Sequence, residues 1–322
     1  MSQTTNLFGS RFRIRNDRQA KALTGCSVIE LEEVLPVFEQ FLAVRYQTLK
    51  VTRQRGLGGG KKGALPLPAD KLIAVLMYLK TYPTYDVFSL VLNLDRTRCF
   101  RWVQILLPIL EASLSRKLVL PKRKITSTDE FYRCFPEARD VLIDGTERPV
   151  QKPKDQKKRK KLYSGKKKTT TRKHIVIATP TKKILVLGKS KTGRRHDKRI
   201  AERQQHFDHL PSGVTAWMDS GFSGAEALHP NSQISAKATK NHPLTKEQKE
   251  HNKIVGAIRI PVEHAIGGMK RMNAAASIWR NKLPGMDDQV MLLSAGLWNL
   301  HLNIKERMEV NQQLQAIQPA RD

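Results

Sequence analysis

The pattern of apolar residues changes near residue 141, and this change limits the possible folds more than any other feature of the sequence. Before it, apolar residues recur at helical spacing, as in the segment 70–79. After it, short apolar runs at 141–143, 175–178, 184–187 and 214–218 are typical of β-strands. The pattern therefore predicts a mixed α/β fold, in which an all-α part precedes a sheet.

Local signals place further elements around the strands. The short segment 179–183 predicts a hairpin turn, and a helix is expected at 197–209. Thr245 and Gln248 resemble a capping box that opens a helix carrying Glu263. A last helix, capped by Asp287 or Asp288, has apolar residues at helical spacing, and we expect it to pack on the sheet.

A chain of 322 residues is long enough for two or three compact units. The segment RQRGLGGGKKG at 53–63 combines glycine with positive charge and offers nothing to a core, which predicts a linker. The expected organisation is a flexible tail (1–16), an N-terminal helix (17–52), a basic glycine-rich linker (53–65), a helix-turn-helix domain (66–120), the domain with the sheet (140–310) and a second tail (311–322).

The helix-turn-helix prediction rests on two helices, at 85–92 and 96–110, separated by a break at 93–94. Asp95 is placed to cap the second helix, whose first turns would then face the major groove of DNA. An ordinary helical hairpin with a basic, solvent-exposed face would give the same pattern. The candidate DNA-contacting residues are Arg96, Thr97, Arg98 and Arg101.

The charge of the chain favours a polyanionic partner. Lys and Arg number 58 against 29 Asp and Glu, a formal net charge of +29. Nucleic acid is the expected ligand, although a ribosomal protein or a merely soluble basic surface would share this composition. The segment 152–173 is the most basic, and we expect a loop that becomes ordered on the DNA backbone through residues such as Lys166, Lys167 and Lys168, or else a solvent-exposed charged loop.

Other compositional signals argue against alternative classes. No stretch has the roughly 20 apolar residues of a membrane helix, and the N-terminus does not resemble a secretory signal, so a soluble, cytoplasmic protein is expected. The cysteines at 26, 99 and 134 lack disulfide or zinc spacing and are expected to be reduced and buried. His206 and His209 are spaced for one helix face, but no further ligand supports zinc, so they are interpreted as surface residues.

Two acids, Asp144 and Asp219, follow apolar strands, where a charge is costly unless it is paired or bound to metal. If the strands are neighbours, both carboxylates emerge at one edge of the sheet, and a helix packed there can add Glu263. Three such ligands suit two Mg²⁺ or Mn²⁺ ions about 4 Å apart, as in metal-dependent phosphodiester cleavage. Singly, each acid could instead cap a turn or lie exposed on a helix.

Five ordered motifs carry a resemblance to a known family. They are LIDGTERPVQKP at 142–153, YSGKKK at 163–168, GRRHDKR at 193–199, MDSGFSG at 218–224 and PVEHAIGGMKR at 261–271. Together with the TYPTYDVFSLVLNLDRT segment, they resemble the DDE transposases of the insertion-sequence five family and, more distantly, Harbinger transposases. The resemblance covers roughly residues 20–305.

The resemblance implies a ribonuclease-H-like catalytic domain with Asp144, Asp219 and Glu263 as its triad. In the family's R-x3-E-x6-K signature, Arg259 and Lys270 would hold DNA phosphates. His196 would lie beside the active site and could position water or phosphate, whereas Asp197 is favoured as the N-cap of the next helix. The chain departs from the signature at Gly256, where tyrosine is frequent, and at Pro261, which would bend the helix or start a new one.

The implied reaction is metal-dependent hydrolysis at the terminal inverted repeats of a mobile element, followed by attack of the freed 3′-hydroxyl on target DNA. No organic cofactor is expected. Two protomers, a homodimer in the synaptic complex, would serve the two ends in a nucleoid-associated reaction. The alternatives are a domesticated or inactive transposase that binds DNA without chemistry, and a different nuclease of the same fold.

Overall fold

The structure is a computed structural model that describes residues 10–51, 63–239 and 242–317. Most of the predicted linker and the outer parts of both predicted tails lie outside the described residues. The chain divides into two compact units. The helical unit comprises Met1–Leu120, Arg271–Ala275 and Gln289–Asp322, and the sheet unit comprises Pro121–Lys270 and Ala276–Asp288.

The described elements before residue 140 are helices, and those after it are both strands and helices. The described residues form the helices α1 (Asp17–Thr24), α2 (Val28–Val51), α3 (Pro68–Thr81), α4 (Tyr85–Leu92), α5 (Arg96–Arg116), α6 (Thr128–Cys134), α7 (Gln156–Leu162), α8 (Asp197–Arg203), α9 (Lys246–Lys270), α10 (Asn273–Ala276) and α11 (Met286–Ile317). They form the strands β1 (Asp140–Pro149), β2 (Tyr163–Ser164), β3 (Thr169–Ala178), β4 (Ile184–Leu187), β5 (Lys191–Thr192), β6 (Thr215–Met218) and β7 (Ser232–Ile234).

The helix-turn-helix consists of α4 and α5. The helix α4 has the predicted boundaries, and α5 begins at the predicted Arg96 but continues six residues beyond the predicted end, to Arg116. The side chain of Thr84 accepts a hydrogen bond from the backbone N–H of Val87 at the start of α4. Asp95 does the same for the N–H of Arg98 at the start of α5. Because each cap satisfies an N–H group that the helix leaves unpaired, these caps fix where both helices begin.

Residues 10–16 differ from the flexible tail predicted for 1–16. Asp70, fully buried at the start of α3, accepts hydrogen bonds from the Ser10 hydroxyl (2.7 Å) and the Arg11 N–H (2.8 Å). Ile14 is also buried. The following segment forms two helices rather than one, because Gly25 adopts the left-handed conformation (φ 76°) that ends α1.

At the start of α2, Ser27 and Glu30 form a capping box, since each residue's side chain accepts a hydrogen bond from the other's backbone N–H. Pro36 lies inside α2, which runs continuously from Val28 to Val51. Cys26 and Cys99 are buried as predicted, but Cys134 is partly exposed.

The C-terminal helix α11 does not follow the prediction that it packs on the sheet. From Gln289 onward it belongs to the helical unit. Its Asn299 amide donates to the Val119 carbonyl (2.9 Å), and His301 lies 2.6 Å from the buried Glu30 carboxylate. The helix begins at Met286, so Asp287 and Asp288 lie in its first turn, and it continues through the described part of the predicted tail 311–322.

The sheet is mixed, with the strand order β2-β3-β1-β6-β7 and with β4 and β5 also paired to β3. Strand β1 is antiparallel to β3 and parallel to β6. The predicted β3–β4 hairpin is confirmed, with Val176 opposite Leu187. The mixed α/β class predicted from the sequence is therefore confirmed.

Three helices of the sheet unit differ from expectation. The lysine-rich segment forms the helix α7 instead of a loop, because Asp155 caps it by accepting from the Lys158 N–H and because Lys and Arg favour helix. The helix α8 ends at Arg203, six residues before the predicted end. The helix α9 has the predicted Thr245–Gln248 capping box and runs continuously through Pro261, which therefore does not start a new helix.

Candidate active site

The strands β1 and β6 bring the first two predicted acids to one place. They are parallel neighbours, with Ile143 opposite Met218. Asp144 and Asp219 are the next residues along these two strands, so they lie side by side; Asp219 directly follows β6, whereas β1 continues past Asp144 to Pro149 and is longer than the apolar run 141–143 predicted. The Asp219 carboxylate also accepts a hydrogen bond from the Gly221 N–H (2.9 Å), which opens a short 3-10 turn at Ser220–Phe222.

Asp144 has an unusual electrostatic environment. Burial raises its pKa to about 6, the nearby Arg259 guanidinium opposes that rise, and the negative charge of Asp219 adds to it. The Asp144 carboxylate accepts a hydrogen bond from the Gly145 N–H (2.7 Å) and lies 3.5 Å from the Arg259 guanidinium. The influence of Asp219 on the pKa of Asp144 indicates that the two carboxylates repel each other, a repulsion that a bound cation would relieve.

The helix α9 packs against β1, β3 and β6 and supplies two cations at this edge. Arg259 is buried and contacts Asp144. Lys270 donates a hydrogen bond to the Glu147 carbonyl of β1 (3.0 Å), and burial, together with the charge of Lys167, lowers its pKa. Both residues named by the R-x3-E-x6-K signature therefore lie against the strand that carries Asp144.

Glu263 lies on the same face of α9, four residues after Arg259 and seven before Lys270. Its side chain is exposed. Within residues 10–51, 63–239 and 242–317, no three His, Cys, Asp or Glu side chains are grouped so that they could hold a metal ion. The structure thus brings Asp144 and Asp219 together and leaves Glu263 on the adjoining helix face, outside a three-acid cluster.

A buried ion-pair network beside Asp144 was not predicted. The Lys173 ammonium lies 3.0 Å from the Asp197 carboxylate and 3.4 Å from that of Glu147. Glu147 also accepts hydrogen bonds from the hydroxyls of Ser164 and Thr171. The HD pair in the GRRHDKR motif signalled Asp197, but the pairing of Glu147 with Lys173 depends on the register of β1 and β3, which a single sequence does not reveal.

The sequence favours Asp197 as the N-cap of α8, and this prediction is wrong. The N-cap is His196, whose side chain makes no capping hydrogen bond, and Asp197 is the first residue of the helix. A methyl group at Gly145 would meet the Asp197 carboxyl carbon at 2.7 Å. Asp197 therefore packs directly against the backbone next to Asp144.

An open cleft of about 1110 Å³ leads to Asp219. Eight Lys or Arg residues and two acids line it, so its surface is strongly positive. The charged lining residues are Lys157, Arg159, Lys160, Lys166, Lys173, Arg194, Arg195, Lys237, Asp197 and Asp219; His196, Tyr163, Ser164, Gly165, Ser220 and Gly221 are among the others.

The remaining predicted DNA-contacting residues are exposed in their own units. Lys166, Lys167 and Lys168 form the turn between β2 and β3. In the helical unit, α5 presents four exposed side chains on its first turns; two of them make exposed ion pairs, Arg96 with Asp86 and Arg98 with Asp95. These four are Arg96, Thr97, Arg98 and Arg101.

The two histidines interpreted as surface residues differ from that expectation. Both follow the end of α8 and so do not lie on it. His206 is buried, with its Nε2 atom 2.9 Å from the Gln204 side-chain oxygen, and His209 is partly buried.

Comparisons with known proteins identify the family. The helix-turn-helix of DDE superfamily endonucleases matches residues 64–116, and the DDE superfamily endonuclease itself matches residues 143–299. A probable transposase for the insertion sequence element IS702 of Microchaete diplosiphon is 32% identical over 238 residues, which cover 73% of this chain and 81% of that protein. The chain belongs to the DDE transposases of insertion sequences. No solved structure matches this transposase.

The family match confirms the resemblance inferred from the five motifs and the TYPTYDVFSLVLNLDRT segment. The transposase thus combines a DNA-binding helix-turn-helix with a nuclease-type domain. The matched endonuclease segment contains Asp144, Asp219 and Glu263. Among its described helices, none combines the length and apolar character needed to cross a bilayer.

The donor atoms at the sheet edge fit a divalent cation. The Asp144 and Asp219 carboxylates repel each other, and burial together with that repulsion raises the pKa of Asp144 to about 6. Oxygen ligands of this kind are those that Mg²⁺ and Mn²⁺ prefer. Arg259 already supplies one positive charge at this point, at 3.5 Å from Asp144.

Proposed function

We propose that this transposase cleaves DNA at the ends of its insertion sequence and joins the freed 3′-hydroxyl to target DNA, using two Mg²⁺ or Mn²⁺ ions held by Asp144, Asp219 and Glu263. The observation that carries the proposal is the parallel pairing of β1 and β6, with Ile143 opposite Met218, which makes the two aspartates neighbours. A protein that only binds DNA has no physical need for two mutually repelling carboxylates at this edge.

When bound, the ions activate the attacking hydroxyl and stabilise the leaving oxygen of the phosphodiester. Asp144 and Asp219 would hold the ions from the sheet side, and Glu263, whose side chain is exposed on α9, would supply the third carboxylate. Arg259 orients Asp144 through their 3.5 Å contact and keeps that carboxyl closer to its charged form, because the guanidinium lowers the pKa that burial raises.

The cations around the acids bind the phosphate backbone. Lys270, already partly desolvated against β1, neutralises a phosphate beside the scissile bond, and Lys166, Lys167 and Lys168 contact phosphates farther along. His196, exposed in the cleft, positions water or phosphate.

The helix-turn-helix recognises the terminal inverted repeats, with α5 in the major groove and its exposed residues Arg96, Thr97, Arg98 and Arg101 on base edges and phosphates. Because an insertion sequence has two ends, two protomers act together as a homodimer in the synaptic complex, on nucleoid DNA in the cytoplasm.

The test is cleavage of a labelled duplex carrying the element's end, with Mg²⁺ or Mn²⁺, by the unmodified chain and by Asp144→Asn, Asp219→Asn and Glu263→Gln. Each variant is expected to lose more than about a hundredfold in cleavage rate while retaining binding in EDTA. Asp140→Asn is the matched control, because Asp140 is the first residue of β1, four residues before Asp144, and an asparagine oxygen there can still accept from the Trp217 indole N–H (2.7 Å in the structure). Cleavage that survives all three changes would refute the assigned site.

A second candidate, a transposase that binds DNA without chemistry, is favoured by one observation. Glu263 does not group with the aspartates among the described residues. That candidate requires duplex binding with no cleavage by the unmodified chain in either metal. A nuclease of another kind would cut without giving strand-transfer products, which a labelled target DNA detects.

A further inference from the structure

The cleft that leads to Asp219 has an unexplained apolar feature. Tyr163 is the one Tyr, Phe or Trp side chain among the described residues that line the cleft, and it is 43% exposed. The charged residues of the lining suit phosphate groups, but an exposed phenol ring adds nothing to phosphate binding. The ring therefore requires an explanation other than charge.

The backbone fixes this ring in place. Tyr163 pairs with Thr170 in the antiparallel β2–β3 ladder, and its N–H donates to the Arg159 carbonyl at the end of α7. The next residue, Ser164, is buried and its hydroxyl donates to the Glu147 carboxylate, which anchors the strand beneath the cleft. The Tyr163 side chain is left 43% exposed in the cleft lining.

A positively charged groove with an exposed aromatic ring is the arrangement that binds single-stranded nucleic acid. In a duplex the faces of the bases are already stacked on one another, so a ring in the wall of a groove finds no base to contact. In a single strand the bases are free, and one of them can stack on the ring while cations on both sides hold the phosphates. Lys160, Lys166 and Arg194 line the same cleft as Tyr163.

We propose that the cleft beside Asp219 holds an unpaired segment of DNA strand and that Tyr163 stacks on one of its bases. The inference rests on the proposed function for its reaction and deepens it, since it makes the substrate at the site a locally melted DNA end. Asp219, Ser220 and Gly221 line the cleft together with Tyr163, so a strand that occupies it reaches the candidate active site.

The experiment measures binding of a fluorescein-labelled single strand of about 12 nucleotides, and of the matching duplex, by anisotropy in EDTA. Tyr163→Ala is expected to bind the single strand about tenfold more weakly and the duplex with unchanged affinity, because only the single strand offers a base to the ring. Tyr163→Phe should retain binding of both. Tyr132→Ala is the matched control, because Tyr132 is exposed to a similar extent (38%) on α6 and does not line the cleft.

A second readout places 2-aminopurine along the single strand, where its fluorescence falls when it stacks. One position is expected to be quenched by the unmodified chain and by Tyr163→Phe, but not by Tyr163→Ala. Thermal unfolding of each variant shows that it is folded.

Equal single-strand affinity of Tyr163→Ala and the unmodified chain would overturn the proposal and indicate a charged groove alone. An equal loss for single strand and duplex would also overturn it, because the ring would then not act by stacking on an unpaired base. These measurements involve no cleavage. If Asp144→Asn, Asp219→Asn and Glu263→Gln still cleaved DNA, the proposed function would be rejected, but the binding result for Tyr163 would be unchanged. Likewise, a failure of the Tyr163 prediction would leave the assignment of the three acids unchanged.

Discussion

Three ionisable side chains of the sheet unit show how local surroundings decide whether a buried charge is tolerated. Lys173 is buried but lies within 3.4 Å of two carboxylates, so its charge is compensated. Asp144 has only partial compensation from Arg259, and its pKa rises to about 6 because burial outweighs that contact. His206 has no charged partner at hydrogen-bond distance among the described residues, and burial lowers its pKa to about 4.

The depressed pKa of His206 predicts a loss of stability in mild acid. The unfolded chain, with an ordinary histidine pKa near 6.5, takes up a proton before the folded chain does, so acid favours unfolding. The free energy of unfolding therefore has its full value, as far as His206 is concerned, above pH 6.5, and it decreases as the pH falls toward 4. Between pH 7.5 and pH 5 the free energy of unfolding should fall by about 2 kcal/mol from this residue.

Urea unfolding at a series of pH values measures this decrease. His206→Gln should reduce its steepness between pH 6.5 and 4, whatever its stability at pH 7.5, because glutamine does not titrate. The buried His174, whose pKa burial also lowers to about 4, should account for part of the slope that remains. Parallel curves for the variant and the unmodified chain would contradict this assignment.

At the scale of elements, strand β5 depends on a close approach that only glycine permits. The N–H of Gly193 donates to the Thr171 carbonyl of β3 (3.0 Å), directly after β5. A methyl group there would overlap the Thr171 hydroxyl and would lie 2.7 Å from the Leu162 carbonyl oxygen, which belongs to the backbone and cannot swing away. Gly193 thus holds the end of α7 beside β3, next to the cleft.

We predict that Gly193→Ala destabilises the chain by about 1–3 kcal/mol, because backbone must shift to admit the methyl group. Gly165→Ala is the matched control, since Gly165 also lines the cleft and has no atom within 4 Å of the added carbon. Melting temperatures measured by circular dichroism compare the two. A similar melting temperature for both variants would show that the contact is more compliant than the structure indicates.

The elements that could be predicted from the sequence are those fixed by local contacts. The caps at Ser27, Thr84, Asp95 and Thr245 involve partners three residues away, so the residue types alone reveal them. The β3–β4 hairpin was also predicted, because a short turn joins two apolar runs. The helix α7 contradicts the prediction of a loop, which rests on the high charge of the segment, because Asp155 caps a run of residues that favour helix.

The part of the candidate site that could be predicted from the sequence is the pair of acids that follow apolar runs. Asp144 and Asp219 follow apolar runs, and the expectation that these runs are neighbours is confirmed by the β1–β6 pairing. The positions of Lys173 and Glu147 depend on the register between β1 and β3, and the exposure of Glu263 depends on how α9 rotates about its axis. Neither quantity follows from a single sequence.

For the whole molecule, the net charge of +29 predicts that DNA binding depends strongly on salt. Each phosphate that a Lys or Arg neutralises releases counterions, so the logarithm of the binding constant falls linearly with the logarithm of the salt concentration. The slope then reports how many cations contact the backbone, and removing one contact should reduce it by about 1.

We predict that Lys166→Gln combined with Lys167→Gln reduces the slope for duplex binding by about 2, because both side chains are exposed in the turn beside the cleft. Lys182→Gln combined with Lys183→Gln is the control, a second pair of adjacent lysines, located in or next to the β3–β4 turn. Anisotropy titrations between about 50 and 200 mM salt measure both slopes. Identical slopes for the two double variants would show that Lys166 and Lys167 do not contact the DNA backbone.

The path of the chain between the two units has a consequence for biosynthesis. The helices α2 and α5 are made early, but their contacts to α11, such as Glu30 with His301 and Glu111 with Gln289, involve residues made after the entire sheet unit. At ordinary translation speeds of roughly 5–20 residues per second, that interval lasts on the order of ten seconds or more. A nascent or prematurely terminated polypeptide that ends before α11 therefore lacks the contacts that α11 makes with α2 and α5 in the helical unit. The sheet unit, which ends at Asp288, can by then already be folded, with Asp144 and Asp219 in place.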